Sequence, residues 1–111
     1  MSYSELLKDP RWQKRRLEVM QRDNWTCQWC GNTDQTLHVH HFNYEKGRAP
    51  WEAEDHEMGT LCCFCHEFNH IKDIHPVIKN AVISMSVNHI QNGEAVKLLV
   101  ALTLEHYKKG K

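Results

Sequence analysis

No apolar run in these 111 residues approaches the roughly 20 needed to cross a bilayer, which excludes a helical membrane span. The opening MSYSELLKDP lacks a basic stretch followed by an apolar one, so no secretory leader is read there and a cytoplasmic protein is expected. Neither sign of charge is in excess: net charge is +0 and the pI is near 7.1, which gives no global argument for a polyanionic partner. Repeats and low-complexity tracts are absent. At 41% hydrophobic and 25% charged, the composition is that of an ordinary globular chain, long enough for one domain with a small core.

What the chain has is nine histidines, five cysteines and an uneven spread of charge. Lysine and arginine gather in KDPRWQKRR (8–16) and acids in WEAEDHE (51–57). Local fields govern polyanion binding more than the sum does, although a basic run alone reads as a solvated helix face.

Asp9 as N-cap and Pro10 at the first helical position start a predicted helix through about Arg22. Its inward face is Trp12, Arg16, Val19 and Met20, with Leu17 at the border and Lys14, Arg15, Glu18 and Arg22 outward. DNWTCQWCGNTD (23–34) reads as loop and turn. LHVHHF (37–42) alternates with strand period, NYEKGRAPWEAEDHE (43–57) is a long polar loop, and a second short strand is expected near Met58–Leu61. A helix follows from about Cys63. Beyond His75-Pro76, the residues Val77, Ile78, Ala81, Val82, Met85 and His89 form one helical stripe. QNGE (91–94) then suits a left-handed helix end at Asn92 or Gly93. The last helix, EAVKLLVALTLEHY (94–107), is apolar nearly all round, so it must be covered by the domain or by another chain. A homodimer through these C-terminal helices is the corresponding partner expectation. Trp12, Trp25, Trp29 and Trp51 are expected to enlarge the core.

The cysteines carry the strongest pattern. CQWC supplies Cys27 and Cys30; CCFC supplies Cys62 and Cys65. A two-residue gap lets a tight turn present both thiolates to one ion, and two such turns complete a tetrahedron, so a structural zinc site is predicted. Disulfides would need an oxidising compartment, and the odd Cys63 fits such a framework poorly; it reads as a small buried apolar residue.

The histidines cluster around the same motifs. His66 and His70 in CHEFNH are four apart and share a helix face. If one ion pins Cys30 to Cys62, the strand after the first cysteine pair lies beside the helix after the second. One strand histidine and the helix pair could then hold a second ion, and imidazole ligands suit Zn²⁺, Mn²⁺ or Ni²⁺ better than Ca²⁺. His38 reads as a partly exposed strand residue, and His56, His75, His89 and His106 as surface or helix-face residues.

VMQRDNWTCQWCGNTDQTLHVHHFNYEKGRAPWE and TLCCFCHEFNH together resemble the HNH endonucleases of bacteria and their phages, in the subgroup with two C-x-x-C knuckles. The likeness covers roughly residues 8–70. It implies an α+β fold: a small zinc-stabilised ββα-metal finger, with an N-terminal helix and a C-terminal helical extension. The nuclease domain would be 1–75, its core 24–70, and the extension 76–111. It further implies DNA phosphodiester hydrolysis with His41 as general base. His40, His66 and His70 would hold one catalytic divalent ion (Mg²⁺, Mn²⁺, Ni²⁺ or Zn²⁺), and Cys27, Cys30, Cys62 and Cys65 the structural Zn²⁺. Double-stranded DNA is the expected partner, with Arg11, Lys14, Arg15 and Arg48 as candidate phosphate contacts. One departure stands out: no Asn lies from Tyr44 to Phe68, where the family has its middle Asn, and Glu57 or Asp55 occupies that neighbourhood. The rival expectation is a zinc-dependent DNA-binding or protein-interaction module that keeps the fold without cleavage.

Overall fold

The computed structural model describes residues 2–43, 45–71, 73–87 and 89–109. Helices α1 (Tyr3–Leu6) and α2 (Pro10–Arg22) lead into strand β1 (Leu37–His41). Two 3-10 turns, Pro50–Glu52 and Asp55–Glu57, precede β2 (Met58–Cys62), which runs directly into α3 (Cys63–Asn69). Helices α4 (Pro76–Ser86) and α5 (His89–Lys109) complete the described chain. The fold is therefore a small α+β arrangement around one two-stranded antiparallel sheet. Among the described residues, no helix is long and apolar enough to cross a membrane.

Helix α2 starts as its sequence dictates. The Asp9 carboxylate accepts from the Arg11 amide at 2.8 Å, and Pro10 occupies a position where no amide is required. Its inward face holds Trp12, Val19 and Met20, all buried, while Leu17 is exposed. Arg22 does more than face solvent: its guanidinium donates to the carbonyls of Asp55 at 2.7 Å and Met58 at 2.8 Å. The neighbouring Asp23 carboxylate accepts from the Thr60 amide at 2.9 Å, so the end of α2 is bonded to β2.

The register pairs Leu37 with Cys62, Val39 with Thr60 and His41 with Met58. Every residue of β2 is buried, because the strand lies between two cores. One core joins Trp12, Val19, Met20, Val39, Ala53 and Met58. The other joins the cysteines to Leu61, Phe68, Val82, Val96, Val100 and Leu104. Helices α4 and α5 therefore share a core with the cysteine site and α3, through Val82, Val96, Val100 and Leu104. Burying these aliphatic side chains stabilises the fold by about 1.5–3 kcal/mol each.

Several local expectations are corrected. QNGE does not end a helix: α5 runs unbroken through it. The reason is packing, since a Cβ at Gly93 would lie 2.4 Å from the Cys30 carbonyl oxygen. Glycine there lets the helix approach the knuckle; it does not cap anything. Trp25 is exposed, carried outward by left-handed backbone at Asn24 (φ 56) and Trp25 (φ 53). Val77 is likewise exposed, so the α4 stripe rests on Ile78, Val82 and Met85. Cys63 is only partly buried. The side chain of His89 lies outside the described residues.

Candidate metal centres

Each cysteine pair is shaped by its own backbone. The Cys30 amide donates to Cys27 Sγ at 3.5 Å and the Cys65 amide to Cys62 Sγ at 3.5 Å, the same turn built twice. A loop supplies the first turn and the β2–α3 junction the second. Their four sulfurs lie within 4.8 Å of one another and all four residues are buried. Cys30 Sγ and Cys62 Sγ are 3.7 Å apart. Tetrahedral coordination with Zn–S bonds of about 2.3 Å places neighbouring sulfurs about 3.8 Å apart, so the donor set fits zinc. Four thiols in contact cannot all ionise alike. Hydrogen bonds from Cys30, Cys62 and Cys65 push the Cys27 thiol well below the ordinary range. Contact with Cys27, Cys30 and Cys62 pushes that of Cys65 far above it. A divalent cation relieves this conflict by stabilising every thiolate at once. These four cysteines can hold a structural metal ion such as zinc.

The second cluster lies where β1 meets α3. His40, His66 and His70 bring one ring nitrogen each within 4.8 Å of the others, and His66 Nε2 is 3.1 Å from His70 Nε2. Two nitrogens on one tetrahedral zinc, with bonds of about 2.0–2.1 Å, would stand about 3.3 Å apart. Burial, then the neighbouring His70 and His38 rings, lowers His66 to about 4. Burial, then His66, His70 and His41, does the same for His40, also to about 4. Both rings are thus neutral at pH 7, the state that offers a lone pair to a metal.

His40 and His41 leave β1 on opposite faces, as strand geometry requires. His40 stands 5.4 Å, ring to ring, from both His66 and His70; His41 lies 5.0 Å from Trp12 of α2. Because β1 ends at His41, both still border one cleft of about 450 Å³, lined also by Tyr3, Leu7 and His38. His41 Nε2 sits 3.1 Å from the Pro50 carbonyl oxygen. A carbonyl only accepts, so the contact needs Nε2–H, and in the neutral ring the lone pair is then on Nδ1.

The loop beside the cleft is tied by Glu57, which is buried at 9% exposure. Its carboxylate accepts from the Glu54 amide at 2.8 Å and from Asn43 Nδ2 at 3.1 Å, and pairs with Arg48 at 2.9 Å. The Glu54 amide first, then Asn43 and Arg48, holds the Glu57 carboxyl below its ordinary range. Asp55 instead pairs with Arg15.

The four basic candidates do not join the histidine cleft lining. Arg11 pairs with Asp9 at 3.0 Å and stacks 4.2 Å over the Trp51 ring; Arg15 also donates to the Ala53 carbonyl; Arg48 pairs with Glu45 and Glu57. Lys14 is exposed on α2. His38 is the partly exposed strand residue expected, and its ring also stacks 4.8 Å from that of His66, a contact the sequence reading does not anticipate. Its shared strand parity with His40 was the available signal. Tyr3, Leu7 and the Pro50 carbonyl had no comparable one. No protein-family model matches the chain, and no curated protein or solved structure matches it.

Proposed function

We propose that the chain is an HNH-type endonuclease, a ββα-metal enzyme that hydrolyses phosphodiester bonds of double-stranded DNA. The observation that carries this reading is His41, held by the Pro50 carbonyl on the cleft that His40, His66 and His70 share. A neutral imidazole with Nδ1 unprotonated is a general base, and histidine's unperturbed pKa of about 6.5 suits that task near neutral pH. Nδ1 would take a proton from water as that water attacks phosphorus in line with the departing sugar oxygen. A divalent ion (Mg²⁺, Mn²⁺, Ni²⁺ or Zn²⁺) held by His40, His66 and His70 would supply Lewis-acid stabilisation of the phosphate and the leaving oxygen. Trp12 packs against the His41 ring and limits its rotation. Glu57, bonded to Asn43, Arg48 and the Glu54 amide, stands in for the missing middle Asn by fixing the loop between the strands. A structural zinc held by Cys27, Cys30, Cys62 and Cys65 would pin the two knuckles and so keep β1 against α3.

A second reading has an observation of its own. With Arg11, Arg15 and Arg48 engaged by carboxylates, the chain presents little uncommitted positive charge among its four candidates. This favours a binding or interaction module that retains the fold without cleavage. Incubating plasmid DNA with each ion, using the zinc-loaded protein and His41→Ala, separates the two. The nuclease reading expects nicking that falls by about 10²-fold or more in the variant, with zinc content and melting temperature unchanged. Equal cleavage by both removes His41 from the mechanism; retained DNA binding without cleavage under any ion selects the module.

A further inference from the structure

We propose that the chain forms a two-fold homodimer through the outer face of α5, with two copies of the helix antiparallel about Ala101. One side of α5 is spent on the core through Val96, Val100 and Leu104. The other leaves Leu98 62% and Leu102 54% exposed. On the flank of α5 between that face and the core, Phe64 of α3, 43% exposed, borders a shallow groove of about 460 Å³ with Ala101, Leu104, Glu105 and Lys108.

The occupant is specified by charge. Residues 94, 98, 101, 105 and 108 alternate steps of four and three, the spacing of a helix–helix seam. Glu94 and Lys97 precede its apolar centre, and Glu105 and Lys108 follow it. An antiparallel copy centred on Ala101 brings Glu94 opposite Lys108 and Lys97 opposite Glu105, each contact made twice by symmetry. Leu98 of one copy then lies beside Ala101 and Leu102 of the other. Parallel alignment in register would instead set every charge against its own kind. Glu94 and Lys108 have side chains 92% and 65% exposed; Glu94 pairs with Lys97 at 3.2 Å and Lys108 lies 3.7 Å from Glu67 of the same chain, so the contacts across the seam would extend these surface pairs. A second copy of this chain is the partner that matches the pattern, and a two-fold contact closes on itself. No residue of the seam lines the histidine cleft, so the inference stands apart from the nuclease reading.

Sedimentation equilibrium of the zinc-loaded full chain tests it, using wild type, Glu94→Lys, Lys108→Glu, the double reversal and Leu98→Glu. A dimer is expected for wild type. Each single reversal should weaken it roughly tenfold, because opposed charges become like charges at two places. The double reversal should restore it, and Leu98→Glu should abolish it. Thermal melts check that the fold survives, since Lys108 also lies 3.7 Å from Glu67 of its own chain. A strict monomer at high concentration overturns the proposal. So does a dimer indifferent to the reversals, or one that the double reversal fails to restore.

Discussion

Replacing Gly93 with Ala sets two effects of known size against each other. In an exposed helix interior the change stabilises by about 1 kcal/mol, because alanine loses less backbone entropy than glycine. At this position the new methyl would stand 2.4 Å from the Cys30 carbonyl oxygen and 3.2 Å from its carbon, where real contacts stay beyond 3.0 Å. The neighbour is backbone and cannot rotate away. It belongs to a turn held by the Gly31 amide on the Cys27 carbonyl at 2.9 Å, by the Cys27 amide on the Asn32 carbonyl at 3.0 Å, and by the Cys30 amide on Cys27 Sγ. Helix α5 must therefore move outward by the better part of an ångström, loosening Val96 and Val100 in the core. Overpacking of this kind costs about 1–3 kcal/mol, which outweighs the propensity gain and leaves a net loss of about 1 kcal/mol. For a domain near this size that is a fall in melting temperature of about 4–8 °C. Calorimetry of the zinc-loaded protein, paired with zinc release to a chromogenic chelator, reads both consequences. Release should be faster in the variant. An unchanged or raised melting temperature would refute the close approach of α5 to the knuckle.

Removing a ligand from the cysteine centre, as in Cys62→Ser, should lower bound zinc below one equivalent and unfold the chain under mild chelation. Structural zinc binding is worth on the order of 10 kcal/mol at pH 7, comparable to a whole domain's stability. Metal analysis with far-UV circular dichroism checks this, and a chelated chain that still melts cooperatively at the original temperature would contradict it. Glu57 predicts acid sensitivity: its folded pKa is depressed, so its contribution is present above the unfolded value near 4.5 and is lost as pH falls through the folded one. Urea unfolding across pH should show wild type more stable than Glu57→Gln at neutrality, with the gap closing in acid. A gap independent of pH would assign Glu57 a role unrelated to its charge.

Patterns fixed by local chemistry were legible in the sequence. The Asp9-Pro10 start of α2 is a capping rule, and both strands and α3 followed from period and punctuation. The cysteine clustering could be read because a C-x-x-C turn leaves few ways to place its sulfurs. What escaped was long-range. Gly93 has the same composition signal whether it caps a helix or admits a neighbour, and only the position of Cys30 decides. Size alone assigns Trp25 to the core, but left-handed backbone at two successive residues turns it outward. His38 reads as a partly exposed strand residue and is one; what the sequence does not show is that its parity with His40 brings its ring onto His66 of α3. Glu57 was one of two acids that might hold the loop; its burial and its bond to Asn43 separate it from Asp55.

On the proposed reading, two centres of different kinds share one small fold: a closed tetrathiolate, and an open histidine site whose ion would serve cleavage. Titrating Mn²⁺ into protein carrying one equivalent of zinc, while following plasmid nicking, tests it most directly. Nicking should rise with uptake of a second metal equivalent, leave the cysteine-bound zinc in place, and fail in His66→Ala. Nicking by the one-zinc protein without added ion, or nicking unaffected by His66→Ala, would contradict it.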